Sequence, residues 1–427
     1  MAHQKKTSVY SRLTDRLNRF PQGAPPSELL FKILKMFFSE KEADLVALLP
    51  IKPFNAKKAA KIWKMSFSQA QKILDGLASR AILVDMENNG ETSYVLPPPM
   101  AGFFEFSLMR TRDDINQKLL SELFYQYLNV EEDFIRALFT NGQTQLGRTF
   151  VNESILSAEN ALYVLDYERA THIIETADPM GISICYCRHK MSHAGKACSA
   201  PKEICMTFNT SATSLIRHGY ARKVDKSEGI ELLQKAYENN LVQFGENVQQ
   251  GVNFICNCCG CCCEAMNAAR RFAVMHTIHT TAFIPEINES RCKGCGTCVA
   301  VCPVEAMSLV SANDPHKTKK KKAKLDEKIC LGCGVCVRVC PENSLFLKPR
   351  PQREITPVDS VYRTVLMAVE RGKLQNLIFD NHSLWSHRAL AAIFGAVLRL
   401  PPVKRAMATE QFRSRYVNAL IKRFTPS

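Results

Sequence analysis

One cysteine pattern occurs twice between residues 292 and 341, and no other feature limits the fold and chemistry of this chain as strongly. The two runs are Cys292-Lys-Gly-Cys295-Gly-Thr-Cys298-Val-Ala-Val-Cys302-Pro303 and Cys330-Leu-Gly-Cys333-Gly-Val-Cys336-Val-Arg-Val-Cys340-Pro341. Thiols at such short spacing are suited to binding a metal centre rather than to a disulfide framework. A pair of zinc knuckles is the alternative, but a zinc site uses four ligands and has no need of the third CxxC step or of the Cys-Pro ending.

The two runs resemble the signature of the bacterial-type two-cluster ferredoxin domain, CxxCxxCxxxCP, and the resemblance covers residues 284–348. It implies two 4Fe-4S clusters, each held by four cysteine thiolates. In this family the last cysteine of each run binds the other cluster. The resemblance therefore assigns Cys292, Cys295, Cys298 and Cys340 to one cluster, and Cys330, Cys333, Cys336 and Cys302 to the second.

Glycines recur at corresponding positions in both runs. Gly294 and Gly296 of the first run correspond to Gly332 and Gly334 of the second. Glycine allows backbone conformations that are barred to bulkier residues, and such turns let amide N–H groups face the inorganic sulfurs. Both glycine pairs are therefore consistent with loops that wrap a cluster closely.

The spacer between Cys302 and Cys330 departs from the family pattern. It contains a basic run from His316 to Lys324. Such a run predicts an exposed insertion. Lys317–Lys324 could be a docking arm for an acidic redox partner. A solvated, disordered insertion is the alternative interpretation.

Ten further cysteines lie outside the two runs, and they are the least ordinary feature of the chain. They are Cys185, Cys187, Cys198, Cys205, Cys256, Cys258, Cys259, Cys261, Cys262 and Cys263. Thiols this dense would oxidise or scavenge metal unless they were ligated. They could hold one or two additional iron–sulfur clusters or a less common cluster. Zinc at Cys185, Cys187, Cys198 and Cys205, with His189 or His193 nearby, is the alternative, and the sequence does not show which cysteines bind together.

The N-terminal part resembles a winged helix-turn-helix domain. Residues 28–98 show three helical segments followed by a hairpin signal at Asn89-Gly90. Ser66 and Gln69 predict a capped start for the last of these helices. Its outward residues Ser68, Gln69, Gln71 and Lys72 are candidates for reading DNA bases. Winged helices also serve as protein–protein modules, and the helix offers only one cation, so nucleic-acid binding is the less favoured reading.

The chain as a whole is predicted to be a multidomain protein, mainly α with α+β parts. The 427 residues suffice for several cores. We divide them into a winged-helix-like domain (1–112), a helical and Cys-rich metal-binding domain (113–283), the two-cluster ferredoxin domain (284–348) and a basic helical C-terminal region (349–427). An apolar helix is predicted over residues 384–400, with core packing favoured over a partner helix or an interfacial helix.

Charge and targeting signals restrict the partners and the compartment. The net charge of +15 suggests an acidic protein, a membrane surface or nucleic acid as the partner. No apolar segment reaches the length of a signal peptide or of a transmembrane helix, so peripheral membrane contact is the most that we expect of a bilayer. Free thiols at this density predict a reducing, cytoplasmic environment.

Three functions fit these observations. Taken together, the cysteine elements resemble a group of large 4Fe-4S ferredoxin-domain proteins of anaerobic bacteria, and this resemblance implies electron transfer. The first hypothesis is an electron relay, either as a carrier or as a subunit of an oxidoreductase. The second is a redox-responsive iron–sulfur transcription regulator that uses the winged helix. The third is an iron–sulfur reductase with an open-sited central cluster. The relay is favoured because no acid/base constellation or phosphate-binding glycine motif is present.

Overall fold

The computed structural model describes residues 8–272, 277–312 and 320–399. Two compact units divide the chain. The first contains the residues up to Thr144, the segment Ser214–Tyr220 and the residues from Ser360 onward; the second contains Gln145–Thr213 and Ala221–Asp359. The division into four domains, with boundaries after residues 112, 283 and 348, stays a prediction. His316–Lys319 and residues 400–427 lie outside the described residues.

The described residues form helices and strands along the whole chain. The α-helices are α1 (Val9–Arg19), α2 (Glu28–Phe37), α3 (Glu40–Leu48), α4 (Ala56–Trp63), α5 (Phe67–Ser79), α6 (Phe104–Phe106), α7 (Gln117–Phe124), α8 (Asp133–Phe139), α9 (Ala158–Tyr163), α10 (Ala170–Thr176), α11 (Tyr186–His193), α12 (Asn209–Arg217), α13 (Lys226–Glu238), α14 (Glu264–Arg271), α15 (Thr297–Val301), α16 (Val335–Arg338), α17 (Ser360–Glu370), α18 (Leu374–Ile378) and α19 (Trp385–Arg399). The strands are β1 (Phe54–Asn55), β2 (Val84–Asn88), β3 (Glu91–Val95), β4 (Gly147–Thr149), β5 (Met180–Ile184), β6 (Glu203–Phe208), β7 (Arg222–Val224), β8 (Val242–Glu246), β9 (Phe254–Cys258), β10 (Phe283–Ile287), β11 (Met307–Ser311), β12 (Lys321–Leu325) and β13 (Leu345–Pro349).

The core of the first unit is built around phenylalanine rings. Phe104 is fully buried, and its ring centroid lies 4.9 Å from that of Phe103 and 5.0 Å from that of Phe124. Phe37 and Phe134 complete the cluster at 6.1 and 6.2 Å from Phe104. Aromatic rings of this kind contribute most of the apolar area that a helical core buries. The cluster joins α2, α6, α7 and α8 into one packed layer.

Helices α4 and α5 lie in the chain between β1 and β2 of a small antiparallel sheet with strand order β1-β3-β2. The Ser66 side chain caps α5, and the Gln69 side chain accepts a hydrogen bond from the backbone N–H of Ser66, so the capping box predicted from the sequence is present. Asn89 and Gly90 connect β2 to β3 with φ values of 51° and 76°. A two-residue hairpin turn with positive φ at both positions favours this residue pair.

The last described helices belong to the first unit. Arg371, after α17, donates hydrogen bonds to the carbonyl oxygens of Pro21, Leu138 and Asn141 at 2.9–3.0 Å. The prediction that the apolar face of α19 packs into a core holds for Leu398, which packs against the cluster around Leu374, and for Phe394, whose ring lies 6.3 Å from that of Phe379. It is wrong for other large side chains of the helix. Trp385 is 75% exposed and Ile393 is 64% exposed. The buried positions of α19 are small residues such as Ala391, because these allow close approach to α18.

The second unit contains a six-stranded antiparallel sheet with strand order β4-β8-β9-β6-β5-β7. Its core includes Ile182, Met206 and Ile255 from three neighbouring strands and Ile174 and Leu233 from α10 and α13. Strand β5 ends one residue before Cys185. The sheet therefore brings the ends of β5, β6 and β9, which carry cysteines, next to one another.

Two antiparallel strand pairs follow in the same unit. β10 pairs with β13, and β11 pairs with β12. Part of the basic run predicted to be an exposed insertion is therefore the strand β12, in which Lys321 and Lys324 are exposed but Ala323 is buried. Ala323 and Leu325, two residues apart, place apolar side chains on the inner face of this strand.

Within the described ranges, no helix has the length and apolar character needed to cross a lipid bilayer.

Replacing Phe104 with Ala should destabilise the first unit by about 3–5 kcal/mol, because it removes a buried ring from the aromatic cluster. Phe67→Ala is the matched control, since Phe67 is 52% exposed, and we expect a change of about 0.5 kcal/mol or less. Denaturant unfolding can be followed by tryptophan fluorescence. Both tryptophans of the chain, Trp63 and Trp385, lie in the first unit. Equal effects of the two substitutions would contradict this account of the core.

Candidate metal centres

Four cysteines from the two runs line one cavity of about 340 Å³. They are Cys292, Cys295, Cys298 and Cys340. The first three surround the turn that leads into α15, whereas Cys340 follows α16 and belongs to the other run. Backbone N–H groups point at two of the sulfurs, from Ala323 to Cys292 at 3.4 Å and from Ser344 to Cys340 at 3.4 Å. Such N–H to sulfur bonds stabilise thiolate charge.

A second cavity, of about 330 Å³, has the complementary composition. It is lined by Cys302, Cys330, Cys333 and Cys336. The N–H of Ala306 donates to Cys302 at 3.2 Å, and that of Gly332 donates to Cys330 at 3.4 Å. Burial raises the pKa of Cys330 to about 11 and that of Cys333 to about 12. Each cavity thus takes three thiols from one run and the fourth from the other, which is the grouping that the resemblance implied.

Two glycines make these loops possible. Gly294 and Gly332 have φ values of +68° and +72°. A Cβ atom at Gly294 would lie 2.1 Å from the carbonyl oxygen of Lys321, and one at Gly332 would lie 2.1 Å from that of Phe283. No other residue fits such a close approach of backbone to backbone. The loops are therefore closed over their cavities by strands β12 and β10.

Six of the ten central cysteines form a ring in which each thiol interacts with two others. In order around the ring they are Cys185, Cys187, Cys263, Cys258, Cys256 and Cys205. They come from the end of β5, the start of α11, β6, β9 and the residue before α14. All six are buried or half-buried. We call this group the six-thiol ring.

Hydrogen bonding within the ring separates its members into two kinds. Hydrogen bonds with both neighbours lower the pKa of Cys256 to about 5 and that of Cys263 to about 5, and they lower the pKa of Cys185 as well. The same bonds raise the pKa of Cys187, Cys205 and Cys258. Within the ring, the Sγ atoms of Cys263 and Cys258 lie 3.1 Å apart.

Arg188 places a buried cation beside the ring. Its side chain is fully buried and donates to the carbonyl oxygens of Asn257 at 2.8 Å and Pro201 at 3.0 Å. Burial would lower the pKa of Arg188, but the charges of Cys185 and Cys259 outweigh it and raise that pKa. The Nε of Arg188 has no hydrogen-bond partner among the described residues. A buried donor left in this state is suited to an acceptor such as an inorganic sulfide or a bound anion.

The remaining four central cysteines form a separate and tighter group. The Sγ atoms of Cys198, Cys259, Cys261 and Cys262 all lie within 4.8 Å of one another. We call this group the four-thiol set. The alternative zinc site predicted at Cys185, Cys187, Cys198 and Cys205 is therefore not assembled. Cys198 lies in the loop after α11, which carries it to residues 259–262 and away from the ring.

The histidines proposed as further zinc ligands contact each other. The ring centroids of His189 and His193, one helical turn apart on α11, are separated by 4.9 Å. Neither belongs to a group of ligand atoms spaced for a metal ion, within the part of the chain that the structure describes. Their position one turn apart on a helix explains the contact without a metal.

The division into six and four thiols was not predicted from the sequence, although part of the signal was present. Cys256 and Cys258 are two residues apart on β9, so their side chains leave the same face of the sheet. Both belong to the ring. Cys259 follows β9, where this alternation ends, and it belongs to the other group. The pairing of β6 with β9, which brings Cys205 to Cys256, joins distant parts of the chain and has no local signal.

The loop of central cysteines contacts the second ferredoxin-type cavity. A Cβ atom at Gly260 would lie 2.8 Å from the Cα atom of Pro303, the residue after Cys302. Nearby, Arg270 of α14 forms an ion pair with Glu305 at 2.9 Å. The backbone N–H of Asn152 also donates to the carbonyl oxygen of Cys333 at 3.0 Å. Central and ferredoxin-type cysteines are therefore held in one packed structure.

The candidate base-reading residues on α5 are only partly available. Ser68, Gln69 and Lys72 are exposed. The amide of Gln71 is half-buried and donates to the carboxylate of Asp75 at 2.9 Å. Asp75 also accepts from the hydroxyl of Tyr94 on β3, at 2.6 Å. Gln71 thus ties α5 to the hairpin.

A third cavity, of about 400 Å³, lies elsewhere in the second unit. Arg148, Glu168, His279 and Arg353 are among its lining residues, and no cysteine lines it within the described part of the chain. This cavity therefore does not provide the substrate space next to a cysteine-bound cluster that the reductase hypothesis requires.

Comparison with known proteins supports the interpretation of the repeated cysteine runs. Residues 291–344 match the profile of the 4Fe-4S dicluster domain family. No curated protein matches the chain. The segment that contains both cavities is thus a ferredoxin-like iron–sulfur domain within a longer chain.

Proposed function

We propose that this protein is an iron–sulfur electron carrier or the relay subunit of an oxidoreductase, and that it passes single electrons. The observation that carries the proposal is the pair of adjacent cavities, each lined by four thiols drawn from both cysteine runs. Bound 4Fe-4S clusters would supply reversible one-electron chemistry without any substrate. Free thiols at this density also favour a reducing, cytoplasmic setting, and oxygen-sensitive clusters favour an anaerobic one.

The residues present fit a cluster in each cavity. We propose that Cys292, Cys295, Cys298 and Cys340 hold cluster 1, and that Cys302, Cys330, Cys333 and Cys336 hold cluster 2. Four thiolates are the ligand set that a cubane requires. The close approach of backbone at Gly294 and Gly332 shapes each loop around its cavity. Backbone N–H groups directed at the sulfurs are among the features by which a protein sets the reduction potential.

The side of cluster 1 is the better entry point for a partner. Cys295 is exposed, whereas the thiols around cluster 2 are buried or half-buried. Exposed basic residues lie on the same loop at Arg291 and Lys293, and the backbone of exposed Lys321 on β12 lies against Gly294 beside Cys295. Complementary charge speeds the encounter between proteins. An acidic redox protein docking over Cys295 is therefore the partner that we propose.

The six-thiol ring would extend the relay inward. Six thiols exceed the four that one metal ion binds, so the ring suits a polynuclear centre. Arg188 offsets part of the negative charge that such a centre would carry. The contact of Gly260 with Pro303 brings the loop of central cysteines against the cavity of cluster 2. The proposed path runs from Cys295 through clusters 1 and 2 to a third metal–sulfur centre in the ring. Because neighbouring ring thiols touch, as Cys258 and Cys263 do at 3.1 Å, they would share metal ions in a polynuclear centre rather than each bind a separate iron of a cubane.

The two other hypotheses have less support. DNA binding would rest on α5, where Gln71 is engaged by Asp75 and Lys72 is the one cation of the helix. A reductase would need a cluster with an incomplete thiolate set beside a substrate cavity. The cavity around Arg148 lacks cysteine among the described residues.

A redox titration of the anaerobically purified full-length protein, followed by EPR, tests electron transfer. We expect iron and sulfide in equal amounts, at about eight irons per chain for clusters 1 and 2 and more when the ring is loaded, counting four per cubane. Reduction should give at least two one-electron signals that broaden each other, because the cavities share both cysteine runs. A protein with no reducible iron–sulfur signal would contradict the proposal.

Paired substitutions test which cysteines bind together. The double variant Cys292→Ala/Cys340→Ala should lose about four irons, because both thiols serve cluster 1. Cys330→Ala/Cys340→Ala should lose about eight, because each thiol serves a different cluster. If each run held its own cluster, the second pair would lose only four and the first would lose eight. Iron quantification together with EPR therefore distinguishes the crossed arrangement from the uncrossed one.

Gly332→Ala tests how closely the second loop fits. The new Cβ would have to displace the carbonyl oxygen of Phe283, so we expect the loss of cluster 2, about four irons per chain. Gly90→Ala is the matched control. Its φ of +76° imposes similar strain, of about 1–2 kcal/mol, but nothing lies within 4 Å of its Cβ position, so all iron should remain. Equal iron contents in the two variants would argue against the close fit.

A further inference from the structure

The four-thiol set is spaced for a single ion. The Sγ–Sγ distances are 3.7 Å for Cys198–Cys259, 3.7 Å for Cys261–Cys262 and 3.8 Å for Cys198–Cys262. Four sulfurs at a metal–sulfur distance of about 2.3 Å form a tetrahedron whose edges are about 3.8 Å. The observed separations agree with those edges.

The same distances do not suit a 4Fe-4S cubane. The thiolates of a cubane bind four different irons and lie outside a core of inorganic sulfide, so they cannot touch one another. The cysteines of each ferredoxin-type group instead surround a cavity. Of the thiol groups in the described residues, the four-thiol set alone has every sulfur within 4.8 Å of all the others.

We infer that Cys198, Cys259, Cys261 and Cys262 bind one zinc ion. Sites with thiolate ligands bind Zn²⁺ more tightly than Fe²⁺, in line with the general order of divalent metal affinities. Four protein thiolates leave no open position, which is the arrangement of structural zinc sites. The site is also less enclosed than the ring, since Cys261 is exposed.

The ion would fasten two loops that are distant in sequence. Cys198 lies in the loop after α11, and the other three ligands lie between β9 and α14. Cys258 and Cys263 of the six-thiol ring directly flank residues 259–262. A metal ion in the four-thiol set would thus fix the backbone that positions two ring thiols. It would also hold Gly260 against Pro303.

Zinc has no redox chemistry, so this site would stand outside the proposed electron path. The inference does not depend on electron transfer. The zinc site can be tested even if the protein shows no reducible iron–sulfur signal. It also removes four of the ten central cysteines from the search for iron ligands.

Zinc K-edge X-ray absorption on the anaerobically purified full-length protein tests the site without any substitution. We expect about one zinc per chain, coordinated by four sulfurs at about 2.3 Å. Less than half an equivalent of zinc, or zinc coordinated mainly by nitrogen and oxygen, would overturn the inference.

Two single substitutions give opposite expected results. Cys198→Ala should lose the zinc and keep the eight or so irons of clusters 1 and 2, because Cys198 belongs to neither cysteine run and lines neither ferredoxin-type cavity. Cys295→Ala is the matched variant, since Cys295 is exposed and Cys198 is half-buried. It should lose iron and keep the zinc. If Cys198→Ala instead lost one iron, as from a mononuclear site, or four irons, as from a cubane, and kept its zinc, the four-thiol set would be an iron site. That result would overturn the inference. If Cys198→Ala does not fold, the absorption spectrum of the unmodified protein still decides.

Discussion

Mutual repulsion of thiolates is the constraint on which the second unit depends. Two negative charges a few ångströms apart in a poorly solvated site are costly unless positive charge or hydrogen bonds compensate them. In the six-thiol ring, hydrogen bonds between neighbouring thiols lower the pKa of Cys185, Cys256 and Cys263. Arg188 supplies one permanent positive charge. One guanidinium cannot balance the charge of several thiolates, and a cationic metal core would supply the remainder.

The ferredoxin-like domain meets the same constraint in another way. Its thiols are separated around cavities, and burial raises the pKa of Cys330 and that of Cys333. Burial therefore disfavours the thiolate forms there, and the backbone N–H of Gly332, which donates to Cys330 at 3.4 Å, opposes that effect. Because each cavity uses both cysteine runs, neither half of the domain has a complete ligand set by itself. Central residues also support the second loop, since the side chain of Ile155 would lie 2.4 Å from a Cβ atom at Gly334.

The features set by local sequence were predictable, and those set by long-range pairing were not. The grouping of Cys340 with Cys292 followed from family resemblance, and the cap at Ser66 and the turn at Asn89-Gly90 followed from local residue preferences. The strand at Lys321–Leu325 was missed because its charge outweighed the two inward residues, Ala323 and Leu325. The apolar residues of α19 were expected to be buried, since composition cannot show which helical face meets a neighbour. Cys205 reaches Cys256 only because β6 pairs with β9, and no spacing within either strand reports that pairing.

The segment from Cys256 to Cys263 shows why the two central groups have to be understood together. Ring thiols and four-thiol members follow one another along this short stretch, on a strand end and the loop after it. The period of two along β9 directs Cys256 and Cys258 to one face, and the loop then turns Cys259, Cys261 and Cys262 toward Cys198. Gly260 is the residue of this stretch that faces Pro303, where any side chain would force the two backbones apart. A glycine there allows the central loop and the loop of Cys302 to touch. An electron moving between a centre in the ring and cluster 2 would therefore cross packed backbone rather than solvent.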